Sequence, residues 1–305
     1  MEAQKVALVL SGGGARGIAH IGVIEELEKR GYEISSIAGT SMGSLIGGIY
    51  ALGRLNDFKE WIYTLDRARV FSLVDFTITH KGLVKGDKVF RQMKEFIPDS
   101  DIRDLRIPYA AVAAELFSKK EVVFTEGSLY DAIRASVSIP TVFTPVEVEN
   151  GLLVDGGVMN NIPIDHVKRT PGDILIAVNV NASIPLEKPD LPAAHHKAIE
   201  SEYLKKTKAF YKRLHRPGLK RKKRRLTYFN LITKTIDLLT WRIDQLTLEE
   251  HRPDVLIEIS RDSATMFDFY KAESLVELGR YKAIKTLDEQ PGSPEKVDEF
   301  VEKSA

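Results

Sequence analysis

The first 52 residues alternate between short apolar runs and glycine-containing helical segments, and this alternation restricts the fold more than any other feature. Residues 6–10 are all apolar and end at a glycine run, which is typical of a strand buried on both faces. A helix over residues 18–29, a strand over 34–38 and a helix over 41–52 are predicted next. Strand, helix, strand, helix is the repeat of an α/β fold with a mainly parallel sheet.

The remaining pattern predicts one α/β domain over residues 1–290, with an insertion at 185–247 and a polar tail at 291–305. Apolar runs predict further strands over 107–113, 122–124, 144–148, 152–154, 174–180 and 255–259. Amphipathic spacing predicts helices over 58–66, 88–96, 129–136, 163–168 and 271–287. The insertion lacks a strand signal and contains two predicted helical segments, 194–214 and 226–247.

Charge is distributed unevenly along the chain. The net charge is +1, yet twelve Lys or Arg and no Asp or Glu lie between Lys205 and Arg225, so the rest of the chain is acidic. The absence of cysteine excludes disulfides, thiol nucleophiles and zinc-thiolate sites. The apolar run near the N-terminus is too short for a signal peptide, and no run reaches the length of a membrane span. These features predict a soluble, cytoplasmic protein.

The segment Gly39-Thr40-Ser41-Met42-Gly43 lies between a predicted strand and a predicted helix. A nucleophilic serine in such a turn needs small residues on both sides, and the following helix contributes partial positive charge near its hydroxyl. Ser41 is therefore a candidate nucleophile, with Gly39 and Gly43 forming the nucleophile elbow. The alternative is that Ser41 is only the N-cap of a glycine-rich helix.

A glycine loop, Gly12-Gly13-Gly14-Ala15-Arg16-Gly17, follows the first strand. Consecutive glycines can direct backbone N–H groups at one anion, either a phosphate or a tetrahedral oxyanion. The spacing of Gly12, Gly14 and Gly17 also fits a dinucleotide-binding fingerprint, which requires a carboxylate at the end of the second strand. That strand ends instead at Ser41, which favours the oxyanion interpretation.

A third segment, Asp155-Gly156-Gly157, follows a predicted strand and supplies a carboxylate. By itself it is also explained as an Asp-Gly turn, with Asn161 as a cap for the helix that starts at Pro163. A serine nucleophile usually takes its base from histidine, and among the histidines that follow Ser41 and Asp155, in the order of an α/β-hydrolase triad, only His251 lies outside the insertion and the short helix predicted over 163–168.

The three segments, in this order and spacing, resemble the patatin-like phospholipase family, specifically its compact bacterial members. The resemblance to the family extends to further short segments: Arg134-Ala135-Ser136, Ile139-Pro140, Phe143, Asp254-Val255-Leu256-Ile257, Asp268-Phe269 and Leu278-Gly279. The resemblance covers residue 5 to about residue 185 and residues 250–288, and omits most of the insertion.

The resemblance implies a Ser–Asp dyad without histidine, in which Ser41 is the nucleophile and Asp155 the base. It implies that Gly12, Gly13, Gly14 and Arg16 form the oxyanion loop and that Gly156 and Gly157 complete the aspartate loop. It also implies a three-layer α/β/α fold, a lipid ester substrate, an acyl-enzyme intermediate, and no metal or other cofactor. The other function class that remains open is a catalytically silent lipid- or nucleotide-binding protein on the same scaffold.

The basic part of the insertion suggests a second partner besides substrate. Apolar Tyr203, Leu204, Phe210, Tyr211 and Leu214 fall on one helical face among the lysines and arginines. A cationic helix with such a face can lie on an anionic bilayer, which predicts peripheral contact with the inner membrane surface through Lys205 to Arg225. The alternatives are a solvated loop and helix packed on the core, or a nucleic-acid patch, which no sequence motif supports and which we do not expect.

Overall fold

The computed structural model describes residues 3–73, 76–79, 82–84, 86–140, 142–149, 151–187 and 228–290. Its strands are β1 (Lys5–Leu10), β2 (Glu33–Thr40), β3 (Phe76–Thr79), β4 (Gly82–Val84), β5 (Tyr109–Glu115), β6 (Lys120–Phe124), β7 (Val146–Val148), β8 (Gly151–Asp155), β9 (Ile174–Ala182) and β10 (Val255–Ser260). Its α-helices are α1 (Ala19–Lys29), α2 (Met42–Leu52), α3 (Leu55–Tyr63), α4 (Arg67–Leu73), α5 (Asp87–Lys94), α6 (Leu129–Ser136), α7 (Tyr228–Glu250) and α8 (Ala272–Asp288).

Eight of the described strands form one mixed, mostly parallel sheet. Strands β10, β9, β1, β2 and β5 lie side by side and parallel. Strands β6 and β8 pair with β5 in the antiparallel sense, and β7 pairs with β8. The short strands β3 and β4 form a separate antiparallel hairpin.

Strands β2 and β8 share one edge of β5. The pairing of β2 with β5 ends at Thr40, which is opposite Val112, and the pairing of β8 with β5 includes Asp155, which is opposite Ala113. Strand β6 pairs with residues 111–115 of β5 and so occupies the other edge. Strand β8 therefore pairs with the same edge of β5 beyond the point where the pairing with β2 ends, and it runs in the opposite direction to β2.

Helices cover both faces of the sheet, which confirms the three-layer α/β fold. Alternate residues of β1 belong to two separate apolar clusters, with Leu8 in one and Val9 in the other. The first cluster includes buried residues of α1, α2 and α8. The second is covered by residues 162–167 and by Leu248 of α7.

Helices α1 and α8 approach each other closely at two glycines. A Cβ atom built on Gly22 would lie 1.8 Å from the carbonyl oxygen of Val276, and one built on Gly279 would lie 1.9 Å from the carbonyl oxygen of Ala19. Any side chain at either position would force the helices apart. This contact fixes α1, and therefore the glycine loop that precedes it.

Several local predictions need correction. The sequence pattern missed α4, β3 and β4, and the helix expected over 163–168 is a single 3-10 turn, Ile164–His166. Asn161 does not cap that turn, whose N-cap residue Pro163 makes no side-chain hydrogen bond. The helix predicted over 226–247 is observed as α7, whereas the segment from Lys205 to Arg225 and the tail lie outside the described residues.

No helix in the described part of the chain combines the length and apolar character that crossing a membrane requires.

Candidate active site

Ser41 occupies a strained turn between β2 and α2. Its φ and ψ angles of 54° and −123° are unfavourable for a residue with a side chain, and such strain is concentrated at functional sites. The flanking glycines make the turn possible, because a Cβ on Gly43 would lie 2.1 Å from the carbonyl oxygen of Leu10 and one on Gly39 would lie 2.5 Å from that of Gly43. Ser41 stands at the N-cap position of α2 but makes no side-chain capping bond, so its hydroxyl is not used to cap the helix.

Ser136, at the end of α6, connects this turn to β5 by two hydrogen bonds. Its hydroxyl accepts a hydrogen bond from the backbone N–H of Ser41 at 2.8 Å and donates one to the carbonyl oxygen of Val112 at 2.6 Å. Ser136 is fully buried, so removal of its hydroxyl would leave the buried N–H of Ser41 without this partner. Sequence reasoning noted Ser136 only as part of a family stretch and gave it no role.

Asp155, the last residue of β8, faces the same turn. Its carboxylate accepts the backbone N–H of Gly157 at 2.8 Å, and the Ser41 hydroxyl lies close enough to lower its pKa. Burial raises the pKa of Asp155 to about 6, and the neighbouring Ser41 hydroxyl and the hydrogen bond from Gly157 oppose this rise. Asp155 is thus a carboxylate of increased basicity beside the candidate nucleophile.

The aspartate loop is joined to the serine turn by backbone contacts as well. The hydroxyl of Thr40 donates to the carbonyl oxygen of Asn160 at 2.8 Å. A Cβ on Gly156 would lie 2.4 Å from the carbonyl oxygen of Val112, so the loop can lie against β5 only with glycine at this position. These contacts fix Asp155 relative to Ser41.

The glycine loop lies against Ser41 on the other side. A Cβ on Gly12 would lie 3.0 Å from the Cβ of Ser41. The amide of Gly12 donates to the carbonyl oxygen of Asn161 at 3.2 Å, and that of Ala15 donates to Met266 at 3.0 Å. Among the described residues no hydrogen bond engages the amides of Gly13 and Gly14, so these two N–H groups remain available to an anion.

The Arg16 side chain contacts residues outside the glycine loop. Its guanidinium donates to Asn181 Oδ1 at 3.2 and 2.7 Å and to the carbonyl oxygen of Ala264 at 3.2 Å. Asn181 in turn donates to the carbonyl oxygen of Gly12 at 2.6 Å. Burial lowers the pKa of Arg16. Arg16 therefore supports the loop through Asn181.

An apolar cavity of about 130 Å³ opens next to Ser41. Ser41 and Gly14 line one part of it, and the rest of the lining is apolar or aromatic, including Leu45, Phe58, Trp61, Met93, Phe143 and Met266. For comparison, an apolar cavity of about 150 Å³ in another protein stays dry and binds benzene. The cavity beside Ser41 can therefore accept an apolar group of similar size.

The described histidines lie elsewhere. Nε2 of His20 is 2.8 Å from the carbonyl oxygen of Ser11, and burial lowers the pKa of this imidazole to about 4. His166 pairs with Glu121, and His251 lies 3.6 Å from Asp165. Within the part of the chain that the structure describes, no histidine is hydrogen-bonded to Ser41 or Asp155.

Comparison with known proteins gives matches over the same region. A family model for patatin-like phospholipases matches residues 8–168. An uncharacterised NTE family protein of Mycobacterium tuberculosis strain H37Rv is 31% identical over 332 residues, covering 94% of this chain and 92% of that protein. Lysophospholipase NTE1 of Candida glabrata is 31% identical over 190 residues, covering 60% of this chain and 11% of that protein.

Among solved structures, VipD from Legionella pneumophila aligns over 94% of this chain and 67% of its own, with a TM-score of 0.46 and 14% identity. The region matched by the family model contains the glycine loop, Ser41 and Asp155. The chain belongs to the patatin-like phospholipase family.

Proposed function

We propose that this protein is a serine acyl hydrolase that cleaves carboxylic ester bonds of lipids with Ser41 and Asp155 as a catalytic dyad. The observation that carries the proposal is the placement of Ser41, in a strained turn that lines an apolar cavity, beside the buried carboxylate of Asp155, with Thr40 and Asp155 opposite adjacent residues of β5. Membership of the patatin-like phospholipase family supports the same reaction class.

The chemistry follows from the contacts at the site. Asp155 accepts the hydroxyl proton as Ser41 Oγ attacks the ester carbonyl carbon, and the raised pKa of Asp155 makes it a better base than an exposed aspartate. The amides of Gly13 and Gly14, together with the N-terminus of α2, stabilise the developing oxyanion. Protonated Asp155 returns its proton to the departing alcohol, and the acyl group stays on Ser41.

Water then completes the reaction. Asp155, again ionised, removes a proton from a water molecule that attacks the acyl-enzyme, and Ser41 leaves with a proton as the free acid is released. The apolar cavity holds the acyl chain, because its lining offers dispersion contacts and almost no polar partner. Phospholipids, lysophospholipids and simple esters all carry this acyl group. Because the Candida glabrata relative is a lysophospholipase by name, a lysophospholipid is the first substrate to test.

A fluorophosphonate probe tests the proposal directly. Wild-type protein should be labelled at Ser41, and Ser41→Ala should show no labelling and lose ester turnover by about 10⁴-fold or more. Asp155→Asn should lose on the order of 10²- to 10⁴-fold, because it removes the base. His251→Ala is the matched control and should keep full turnover.

Two outcomes would reject this assignment. Labelling that survives Ser41→Ala would place the nucleophile elsewhere. A wild-type protein that binds lipid but is neither labelled nor active would favour the silent binding protein instead. If Ser41 is labelled, mass-spectrometric profiling of a mixed lipid extract treated with wild type or Ser41→Ala identifies the lipid that is consumed.

The expected contact with anionic membranes involves Lys205 to Arg225, which lie outside the described residues. Each basic residue near an anionic surface contributes about 1 kcal/mol. Vesicles containing anionic lipid should therefore retain the protein, and replacement of the six basic residues from Lys220 to Arg225 by Gln should weaken retention. Equal retention on neutral vesicles would contradict this expectation.

A further inference from the structure

Asp244, on α7, is a buried carboxylate that the dyad chemistry does not use. It is 1% exposed, and its two carboxylate oxygens lie 3.0 and 3.2 Å from Nδ2 of Asn161. No other hydrogen bond or ion pair of Asp244 occurs among the described residues. Burial raises the pKa of Asp244 to about 7, and the hydrogen bond from Asn161 opposes the rise. A carboxylate held in the interior by one amide is an unfavourable arrangement unless it has a specific role.

Asn161, its partner, lies between the two loops that flank Ser41. Its main-chain carbonyl accepts the amide of Gly12 at 3.2 Å. Its side-chain oxygen lies 2.5 Å from the position that a Cβ on Gly12 would take, and 2.9 Å from the corresponding position on Gly157. The orientation of this one side-chain amide therefore determines which atom packs against both the glycine loop and the aspartate loop.

Helix α7 makes a second contact with the aspartate loop. The hydroxyl of Thr240, one helical turn before Asp244, donates to the carbonyl oxygen of Gly157 at 3.2 Å. Gly157 is also the residue whose amide donates to Asp155. One face of α7 therefore contacts the aspartate loop directly and the glycine loop through Asn161.

We propose that Asp244 is a positioning residue that orients the Asn161 amide and thereby sets the spacing between the glycine loop and the aspartate loop. Asp244 fixes the donor end of the amide, so the oxygen end faces Gly12 and Gly157. Without a carboxylate at this position the amide can rotate and present its NH₂ group to the glycines. The inference rests on the proposed function, because it assigns the two loops to the oxyanion and the base.

The test exchanges the two partners. Asp244→Asn keeps the side-chain shape but replaces one acceptor oxygen by NH₂, and Asn161→Asp places two carboxylates together. The double variant Asn161→Asp/Asp244→Asn restores one carboxylate and one amide in exchanged positions. Glu249→Gln, on an exposed position of α7, is the matched control. The end point of fluorophosphonate labelling counts active sites, so kcat is expressed for each labelled Ser41.

Each single variant should lower kcat per site by about 10- to 100-fold with KM changed by no more than about twofold, since small displacements of catalytic groups have effects of that size. The double variant should recover at least about tenfold over Asn161→Asp, and Glu249→Gln should match wild type. If Asn161→Asp does not fold, Asp244→Asn and Asp244→Ala carry the test through kcat per site.

An unchanged kcat per site in the folded Asp244 variants, with only a lower melting temperature, would overturn the inference and leave Asp244 a purely structural residue. A double variant no better than folded Asn161→Asp would overturn it too. Absence of Ser41 labelling in wild type is distinct from both results, because it overturns the proposed function and this inference together.

Discussion

Ser41 and Asp155 meet because the strands that carry them run toward each other along one edge of β5. Thr40, which precedes Ser41, is opposite Val112, and Asp155 is opposite Ala113, the next residue of β5. The nucleophile turn begins where β2 ends, and the carboxylate arrives from the opposite direction on β8. This arrangement brings together two residues separated by more than 100 positions in the chain without a loop having to reach across the sheet.

The first prediction concerns the pH dependence of turnover. Because only ionised Asp155 can accept the Ser41 proton, kcat/KM should rise about tenfold per pH unit below pH 6 and level off above it, following the pKa of about 6. The measurement is kcat/KM for an uncharged ester between pH 4.5 and 8.5, where the substrate does not titrate. A flat profile down to pH 4.5 would mean that Asp155 is not the base.

The second prediction concerns stability. An aspartate in an unfolded chain has a pKa of about 3.9, whereas burial raises that of folded Asp155 to about 6. The folded state therefore binds the proton more tightly, so the stabilising contribution of Asp155 is present below pH 4 and is lost as the pH rises through 6. Asp155→Asn should raise the free energy of unfolding more at pH 8 than at pH 4, by up to about 3 kcal/mol.

Asp173→Asn is a control, because the pH dependence of the stability contribution of Asp173 is expected to have the opposite sign. Hydrogen bonds from Thr170 and Arg169 hold the pKa of Asp173 below its usual value despite burial, so its contribution is present at neutral pH and is lost on acidification. Denaturant unfolding at both pH values compares the two variants. If the free energy of unfolding of Asp155→Asn changes with pH in the same way as that of wild type, the prediction is wrong. Asp155 would then not be buried as an ionised carboxylate in the folded protein.

The third prediction concerns Ser136. Ser136→Ala should destabilise the protein by about 1–3 kcal/mol, because it leaves the buried N–H of Ser41 unpaired and removes one hydrogen bond to the carbonyl of Val112. Fluorophosphonate labelling should slow as well, because the strained turn loses its support. Ser263→Ala is the control, since that hydroxyl is buried with no hydrogen-bond partner among the described residues. Labelling as fast as in wild type would show that the turn holds without Ser136.

The sequence predicts those parts of the fold and candidate site that have local signals. Residues 6–10 of β1 form a continuous apolar run, and β2 has apolar residues on both sides of a Ser-Ser pair. The glycines around Ser41 are required by contacts within a few residues or with the neighbouring strand. The hairpin of β3 and β4 was missed because strands of four and three residues are too short to show a period.

The supports of the site could not be predicted for a different reason. Ser136 acts on Ser41 across 95 residues, and Asp244 acts on Asn161 across 83. No spacing rule connects residues so far apart. In the sequence of an amphipathic helix, a serine or aspartate that will be buried cannot be distinguished from one that will be exposed. The packing of α6 and α7 against the sheet determines both contacts, and packing is a property of the folded chain.

The last prediction concerns the acyl chain. Met93 lines the cavity beside Ser41, whereas Ile97, one helical turn later, is equally buried outside it. Both Met93→Ala and Ile97→Ala should cost about 2–5 kcal/mol of stability, because each removes buried methylene groups. Only Met93→Ala enlarges the cavity, so only this variant should shift kcat/KM from short toward longer acyl chains in a series of p-nitrophenyl esters. If both variants shift the chain-length preference equally, the cause is loss of stability and not the size of the cavity. If Met93→Ala does not shift it, the acyl chain does not bind in this cavity.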